Sequence, residues 1–120
     1  MKVTEIAFVG NPVTDIKRAR DFYERILGLD AGEIDEEIAE GQYWIEYAIG
    51  DQTLAISNTW EPSGASGPSA ALEVDDFDAA MAHLKQEGVN IILEKLETPV
   101  CFMGLITDPD GNGLTIHKRK

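Results

Sequence analysis

The sequence predicts an α+β protein built from two βαβββ units. Three observations carry this: a capped amphipathic helix that occurs twice, a strand–turn–strand pattern after each helix, and a Gly/Ser/Pro-rich stretch between the halves. At 120 residues the chain is the size of one ordinary domain. A chain of this size buries roughly two-thirds of its unfolded surface, enough for a real core. The expected organisation is one domain over 1–120, with units at 1–59 and 69–120 joined by a linker at 60–68.

The first unit opens with a short apolar stretch, Ile6 to Val9, which Asn11-Pro12 is expected to break. Asp15 suits a helix N-cap, because its carboxylate accepts N–H groups that the first turn leaves orphaned. Ile16, Ala19, Tyr23, Ile26 and Leu27 then recur at helical spacing, with Phe22 widening the apolar face. Lys17, Arg18, Asp21, Glu24 and Arg25 supply the wet face, and Gly28 can close the helix in a left-handed conformation. Three strands follow at about 30–38, 42–49 and 52–58, with Gly50-Asp51 as a two-residue hairpin turn.

The second unit repeats the pattern. Ala70, Leu72 and Val74 lead into Asp75-Asp76, and Asp76 caps a helix whose apolar face holds Phe77, Ala80, Met81 and Leu84 before Gly88. Strands are expected at about 90–97, 100–107 and 113–118, with Asp108-Pro109-Asp110-Gly111-Asn112 as the turn. Val13-Thr14-Asp15-Ile16 matches Val74-Asp75-Asp76-Phe77, and Leu54-Ala55-Ile56 matches Leu114-Thr115-Ile116. Between the units, Glu61 to Pro68 reads as a linker.

With 10 basic and 22 acidic residues the formal charge is −12, which argues against nucleic acid and favours a cationic or neutral ligand. No apolar run has the length of a membrane helix, and Met1-Lys2-Val3-Thr4-Glu5 lacks the apolar core of a signal peptide, so a cytoplasmic protein is expected. The single cysteine, Cys101, has no partner for an internal disulfide. No Ser/His/Asp triad, phosphate-binding loop, dinucleotide fingerprint or zinc-type Cys/His cluster appears.

Pro12-Val13-Thr14-Asp15, Ala19-Arg20-Asp21-Phe22-Tyr23, Leu27-Gly28-Leu29, Leu72-Glu73-Val74-Asp75-Asp76 and Asp108-Pro109-Asp110-Gly111-Asn112 occur in this order across nearly the whole chain. In this the chain resembles the vicinal-oxygen-chelate superfamily, which includes glyoxalase I, extradiol dioxygenases, fosfomycin-resistance transferases and bleomycin-resistance proteins. The resemblance implies a curved mixed sheet around a cavity, and a homodimer. It does not identify a reaction.

The superfamily's metal enzymes place His or Glu on the first and last strands of each unit. The matching positions here are Phe8 and Ala55 in unit one and Ser69 and Thr115 in unit two. None carries an imidazole, carboxylate or thiolate, so no metal is expected at the usual site and no cofactor is implied. Strand alternation places Ile6 and Gly10 with Phe8, Thr53 and Ser57 with Ala55, Ala71 and Glu73 with Ser69, and Gly113 and His117 with Thr115. Ala7, Val9, Leu54, Ile56, Ala70, Leu72, Val74, Leu114 and Ile116 form the opposite, apolar set, expected under the helices. If Gly50-Asp51 is a two-residue turn, Glu46 lies opposite Ala55 and Trp44 opposite Ser57, both facing the cavity. The longer second turn leaves Phe102, Met103 and Gly104 unassigned to a face.

Glu46 is the best candidate for chemistry, as a general base or a partner for a cation; the plainer reading is an exposed strand carboxylate. His117 can reach the cavity mouth, though its basic neighbours suggest a frayed surface position. His83 reads as a helix-surface residue and Cys101 as a packed strand residue. Trp44 can stack on a planar ligand or simply pack, and Trp60 either flanks a site or anchors the linker. Asp35, Glu36, Glu37 and Glu40 form an acidic run that would discourage edge-to-edge strand pairing.

The leading reading is a metal-independent member that binds a small organic ligand. Its lining would be Phe8, Trp44, Glu46, Ala55 and Ser57 from unit one, with Ser69, Ala71, Thr115 and His117 from unit two. The rival is a lyase, dioxygenase or epimerase with displaced ligands (Glu46, Glu73, His117) or acid–base chemistry at Glu46. A third reading is an inert or regulatory dimer with a filled cavity; a closed cavity, with Phe8 and Trp44 packed together, would remove both the binding and the enzyme readings.

Overall fold

The computed structural model describes residues 1–2, 4–64 and 67–120, and the backbone alone for 33–35. Ala65 and Ser66 of the expected linker, Val3, and the Asp35 side chain of the acidic run therefore lie outside the described residues. The chain divides into two compact units, Met1–Pro62 and Ser63–Lys120, with the boundary inside the 60–68 stretch. Each is an α+β unit with one four-stranded mixed sheet.

In unit one, β1 (Val9–Pro12) leads to α1 (Ile16–Arg20), which continues as a π-helical segment, Asp21–Ile26; β2 (Ala31–Ala39), β3 (Gln42–Ile49) and β4 (Gln52–Ser57) follow. The strand order is β1-β4-β3-β2, with β1 parallel to β4 and the other pairs antiparallel. Asp15 caps the helix as its residue type predicts, accepting the Arg18 N–H at 3.0 Å. A single α-helix was expected up to Gly28. Instead the Leu27 N–H reaches back five residues to the Phe22 carbonyl at 2.9 Å. The wider turn accompanies two consecutive aromatics, Phe22 and Tyr23, both buried. Gly28 does supply the left-handed φ, +73°, and the Leu29 N–H closes on the Tyr23 carbonyl at 3.0 Å.

The first strand also differs from expectation. It runs over Val9–Pro12 rather than Ile6–Val9, and pairs Val9 with Leu54 and Pro12 with Ser57. Proline is tolerated because β1 is an edge strand and Pro12 is its last residue, where a missing N–H removes no central ladder bond. Asn11 does not break the strand either: its side-chain amide donates to the Tyr23 hydroxyl at 2.9 Å, so the buried polar group is satisfied. Ile6 is left 83% exposed, and Ala7 and Val9 are exposed rather than packed under the helix. The core instead centres on Tyr23 stacked over Tyr47, centroids 6.0 Å apart, among Val13, Ile45, Leu54 and Ile56.

Unit two comprises β5 (Ala70–Glu73), α2 (Phe77–Gln86), β6 (Asn90–Glu97), β7 (Cys101–Thr107) and β8 (Gly113–Arg119), in sheet order β5-β8-β7-β6. Asp76 caps α2 by accepting the Ala79 N–H at 3.0 Å, and Phe77, Met81 and Leu84 are buried. Met81 lies over Gly104, where a Cβ would stand 2.8 Å from its sulfur. The Asp108 carboxylate organises the second turn, accepting the N–H groups of Asp110 (2.9 Å) and Asn112 (2.8 Å) and the Asn112 side-chain amide (2.7 Å). The repeat survives in the register: Val9 faces Leu54 as Ala70 faces Leu114. Among the described residues, no helix is long and apolar enough to cross a membrane.

Candidate functional site

The Gly50-Asp51 turn sets the side chains of unit one. Ile49 pairs with Gln52, and Gly50 takes a φ of +60° while Asp51 does not, as a two-residue turn with glycine first requires. Glu46 then stands opposite Ala55 and Trp44 opposite Ser57. Gly10 pairs with Ala55 on the other side. Its missing side chain seats the Trp60 indole: a Cβ there would come within 3.2 Å of that ring. Phe8 packs edge-on against Trp44 at 5.1 Å, and Trp44 lies 6.2 Å from Trp60. The Trp44 indole N–H donates to Glu46 Oε2 at 2.8 Å, which fixes both groups.

Ala55 and Ser57 were expected to line an open cavity, but both are fully buried. The Ser57 hydroxyl is spent on the Tyr43 carbonyl at 2.7 Å and lies 2.9 Å from the Thr59 hydroxyl. The Phe8–Trp44 contact expected of a filled cavity is made. The cluster is nevertheless not sealed, since Phe8 stays 45% and Trp60 41% exposed. Trp60 thus joins the ring cluster of unit one.

Unit two presents a different surface. Ser69 and Ala71 are exposed and Thr115 is half-buried; the Ser69 hydroxyl bonds the Gly113 carbonyl at 3.1 Å. The β7–β8 register resolves the face left open by the longer turn. Leu105 stands opposite Thr115 and Met103 opposite His117, while Gly104 points toward α2. His117 is not frayed. Its Nδ1 lies 2.6 Å from Glu73 Oε1, with its side chain 22% exposed. Glu73 Oε2 accepts the Arg119 backbone N–H at 2.8 Å, and the Arg119 guanidinium lies 3.7 Å from Oε1. The Arg119 N–H first, and then the imidazole, hold the Glu73 carboxyl below the usual carboxylate range.

Strand alternation puts Glu73 and His117 in the cavity-facing set, but the bond between them escaped sequence reasoning because they lie far apart along the chain. The β5/β8 register that pairs Ala70 with Leu114 sets Glu73 directly beside His117. His83 stays on the exposed side of α2, and the Cys101 thiol is buried 3.1 Å from the Thr98 hydroxyl.

The residues at the four positions that the resemblance assigns to metal ligands do not fit a divalent transition ion. Phe8 and Ala55 have no donor atom, and Ser69 and Thr115 offer hydroxyls where imidazole, carboxylate or thiolate is preferred. Among the described residues no three His, Cys, Asp or Glu side chains are grouped as a metal would need.

Comparison with known proteins agrees with this architecture. The family model described as Glyoxalase/Bleomycin resistance protein/Dioxygenase superfamily matches residues 5–116. A lactoylglutathione lyase of Neisseria meningitidis serogroup A is similar at 24% identity, covering 90% of this chain and 86% of its own length. Among solved structures, TnmS3, an antibiotic binding protein from Streptomyces sp. CB03234, aligns with a TM-score of 0.82 at 27% identity, over 100% of this chain and 99% of its own. A putative glyoxalase family protein from Bacillus anthracis aligns with a TM-score of 0.81 at 20% identity, over 100% and 98%.

Proposed function

The chain belongs to the glyoxalase/bleomycin resistance protein/dioxygenase superfamily, and from that premise we propose that it binds a small planar organic molecule, cationic or neutral, without a metal. The observation that carries this is the half-open ring cluster of Phe8, Trp44 and Trp60 beside the Glu46 carboxylate. Exposed aromatic faces take a flat ring by offset stacking, and a cation over an indole gains further from the ring quadrupole. Glu46 and the formal charge of −12 favour the cation and disfavour an anion. The antibiotic binding protein TnmS3, similar along the whole chain, supports a binding role. The lyase reaction of the neisserial relative is not carried over, because the four positions assigned to metal ligands hold Phe8, Ala55, Ser69 and Thr115. The binding form is proposed to be a homodimer, since the edge strand β6 exposes Ile92 and Leu96 to be covered.

Trp60→Phe leaves Trp44 as the sole indole of the chain. Titrating this variant with proflavine, a planar cation, is expected to quench its fluorescence saturably, and Phe8→Ala should weaken binding by about tenfold, the worth of one aromatic contact. Raising the salt should erode the advantage of proflavine over an anionic dye of similar size. Quenching that rises linearly with dye, without saturation, would remove the proposal. Sedimentation giving a monomer mass at micromolar concentration would remove the dimer.

A further inference from the structure

We propose that His117 and Glu73 form a second recognition element, on unit two, in which His117 Nε2 accepts a hydrogen bond from an acidic hydroxyl of a ligand, such as a phenol. This goes beyond the ring-cluster reading and uses none of its residues.

The inference starts from Arg119. Its backbone N–H is an obligate donor, and it points at Glu73 Oε2 at 2.8 Å. One carboxylate oxygen is thereby committed as an acceptor. The other, Oε1, lies 2.6 Å from His117 Nδ1, with the Arg119 guanidinium 3.7 Å away. A carboxylate in that setting is acceptor-only, so Nδ1 must carry the proton. In the neutral ring Nε2 is then the bare, basic nitrogen, the arrangement by which a carboxylate sets the tautomer of an imidazole. Nε2 has no hydrogen-bond partner among the described residues.

The surroundings define what it would accept from. Met103 stands across the ladder from His117 and Leu105 across from Thr115, on the same face as the exposed Ala71. His117 thus has Met103 on one flank and its own Glu73 partner on the other, and hydrocarbon beside one oriented acceptor suits an apolar molecule with a single polarised O–H. An acceptor also discriminates: a donor-bearing ligand gains one hydrogen bond over its methyl ether, about two- to tenfold in affinity.

Glu73 acts here as a positioning residue, and its role has a signature that a mere strand latch lacks. In Glu73→Gln, the single amide oxygen must serve the Arg119 N–H, which has no alternative orientation. The amide NH2 then faces Nδ1 and donates to it, so the ring proton moves to Nε2 and the acceptor becomes a donor.

The test is nitrogen-15 NMR of the histidine rings, at a pH where the same spectrum shows His117 neutral, with 4-methylphenol, which keeps its proton there, and 4-methylanisole as probes. The wild-type ring is expected in the Nδ1–H form, with its Nε2 resonance shifting on addition of 4-methylphenol but not 4-methylanisole. Glu73→Gln should switch the ring to the Nε2–H form. His117→Leu, which leaves the Glu73–Arg119 bond in place, should abolish the preference for the phenol. A wild-type ring in the Nε2–H form, or equal affinity for phenol and ether in the wild type, would overturn the proposal. Neither result bears on dye quenching at Trp44, so the two readings fail separately.

Discussion

Gly10 of unit one and Ala71 of unit two occupy equivalent places, each paired with the middle residue of the strand after the hairpin, Ala55 and Thr115. Over Gly10 lies the Trp60 ring, whereas Ala71 is exposed. The same contrast runs through the helices. Unit one seats consecutive aromatics through a π-helical turn, while unit two buries Phe77, Met81 and Leu84 from a regular α-helix. One strand plan thus supports a face occupied by aromatic rings and a face that presents an oriented imidazole. The difference is made by side-chain size at a few facing positions.

The largest test of the contrast is Tyr23→Ala. The ring is fully buried, stacks on Tyr47 and accepts from Asn11, so its loss leaves a cavity and a buried amide without its partner. Unit one should lose about 3–5 kcal/mol. Both tryptophans lie in unit one, so urea unfolding followed by tryptophan fluorescence reports that loss. A shift under 1 kcal/mol would show that the Tyr23–Tyr47 stack is not the hub of this core.

In unit two the matching probe is Gly104→Val. Its Cβ would meet the Met81 sulfur at 2.8 Å and the Glu94 carbonyl oxygen at 3.2 Å. Met81 can swing aside but the backbone oxygen cannot, so a loss of about 1–3 kcal/mol is expected. Amide exchange at Ile106 and Ile116 would register it. Unchanged exchange there would mean that α2 rides more loosely on β7 than the contact indicates.

The smallest effect is on the acid side. Glu73 and Glu97 in unit two both have lowered carboxyl pKa values, the first through the Arg119 N–H and His117, the second chiefly through Lys120. A lowered folded value means that the stabilisation is complete above the ordinary carboxylate range and is lost as pH falls through the folded pKa. Both groups are exposed, so the loss should be slight. The Glu73 carboxyl carbon-13 resonance should titrate below the usual glutamate range; a Glu73 midpoint at or above that range would contradict the geometry.

What could be read from the residues was mostly local. The Asp15 and Asp76 caps, the Gly50-Asp51 turn and the Glu46–Ala55 register each depend on neighbours within one turn or hairpin, where residue type dictates geometry. The start of β1 was not legible, because proline reads as a breaker unless the strand is known to lie at an edge. Nor was the π-helical turn, because the apolar spacing through Phe22 and Tyr23 fits a regular α-helix as well. At the candidate site the Phe8–Trp44 contact was foreseen only as the mark of a closed cavity, and the burial of Ala55 and Ser57 and the Glu73–His117 bond depend on tertiary placement.

The pairing scheme also has a consequence for synthesis. Among the described residues the strand pairings of unit one fall between Val9 and Ser57, and those of unit two between Ala70 and Arg119. In each, the hairpins are local, and the parallel edge strand made first must wait for the strand made last, β1 for β4 and β5 for β8. Hairpins close in microseconds, far faster than residues are added at about 5–20 per second. On the ribosome the first half can therefore complete its sheet while the second is still being translated. Until β4 emerges, the nascent chain carries a finished helix and an unpaired β1, and that is the interval in which a chaperone or a foreign strand would find it open.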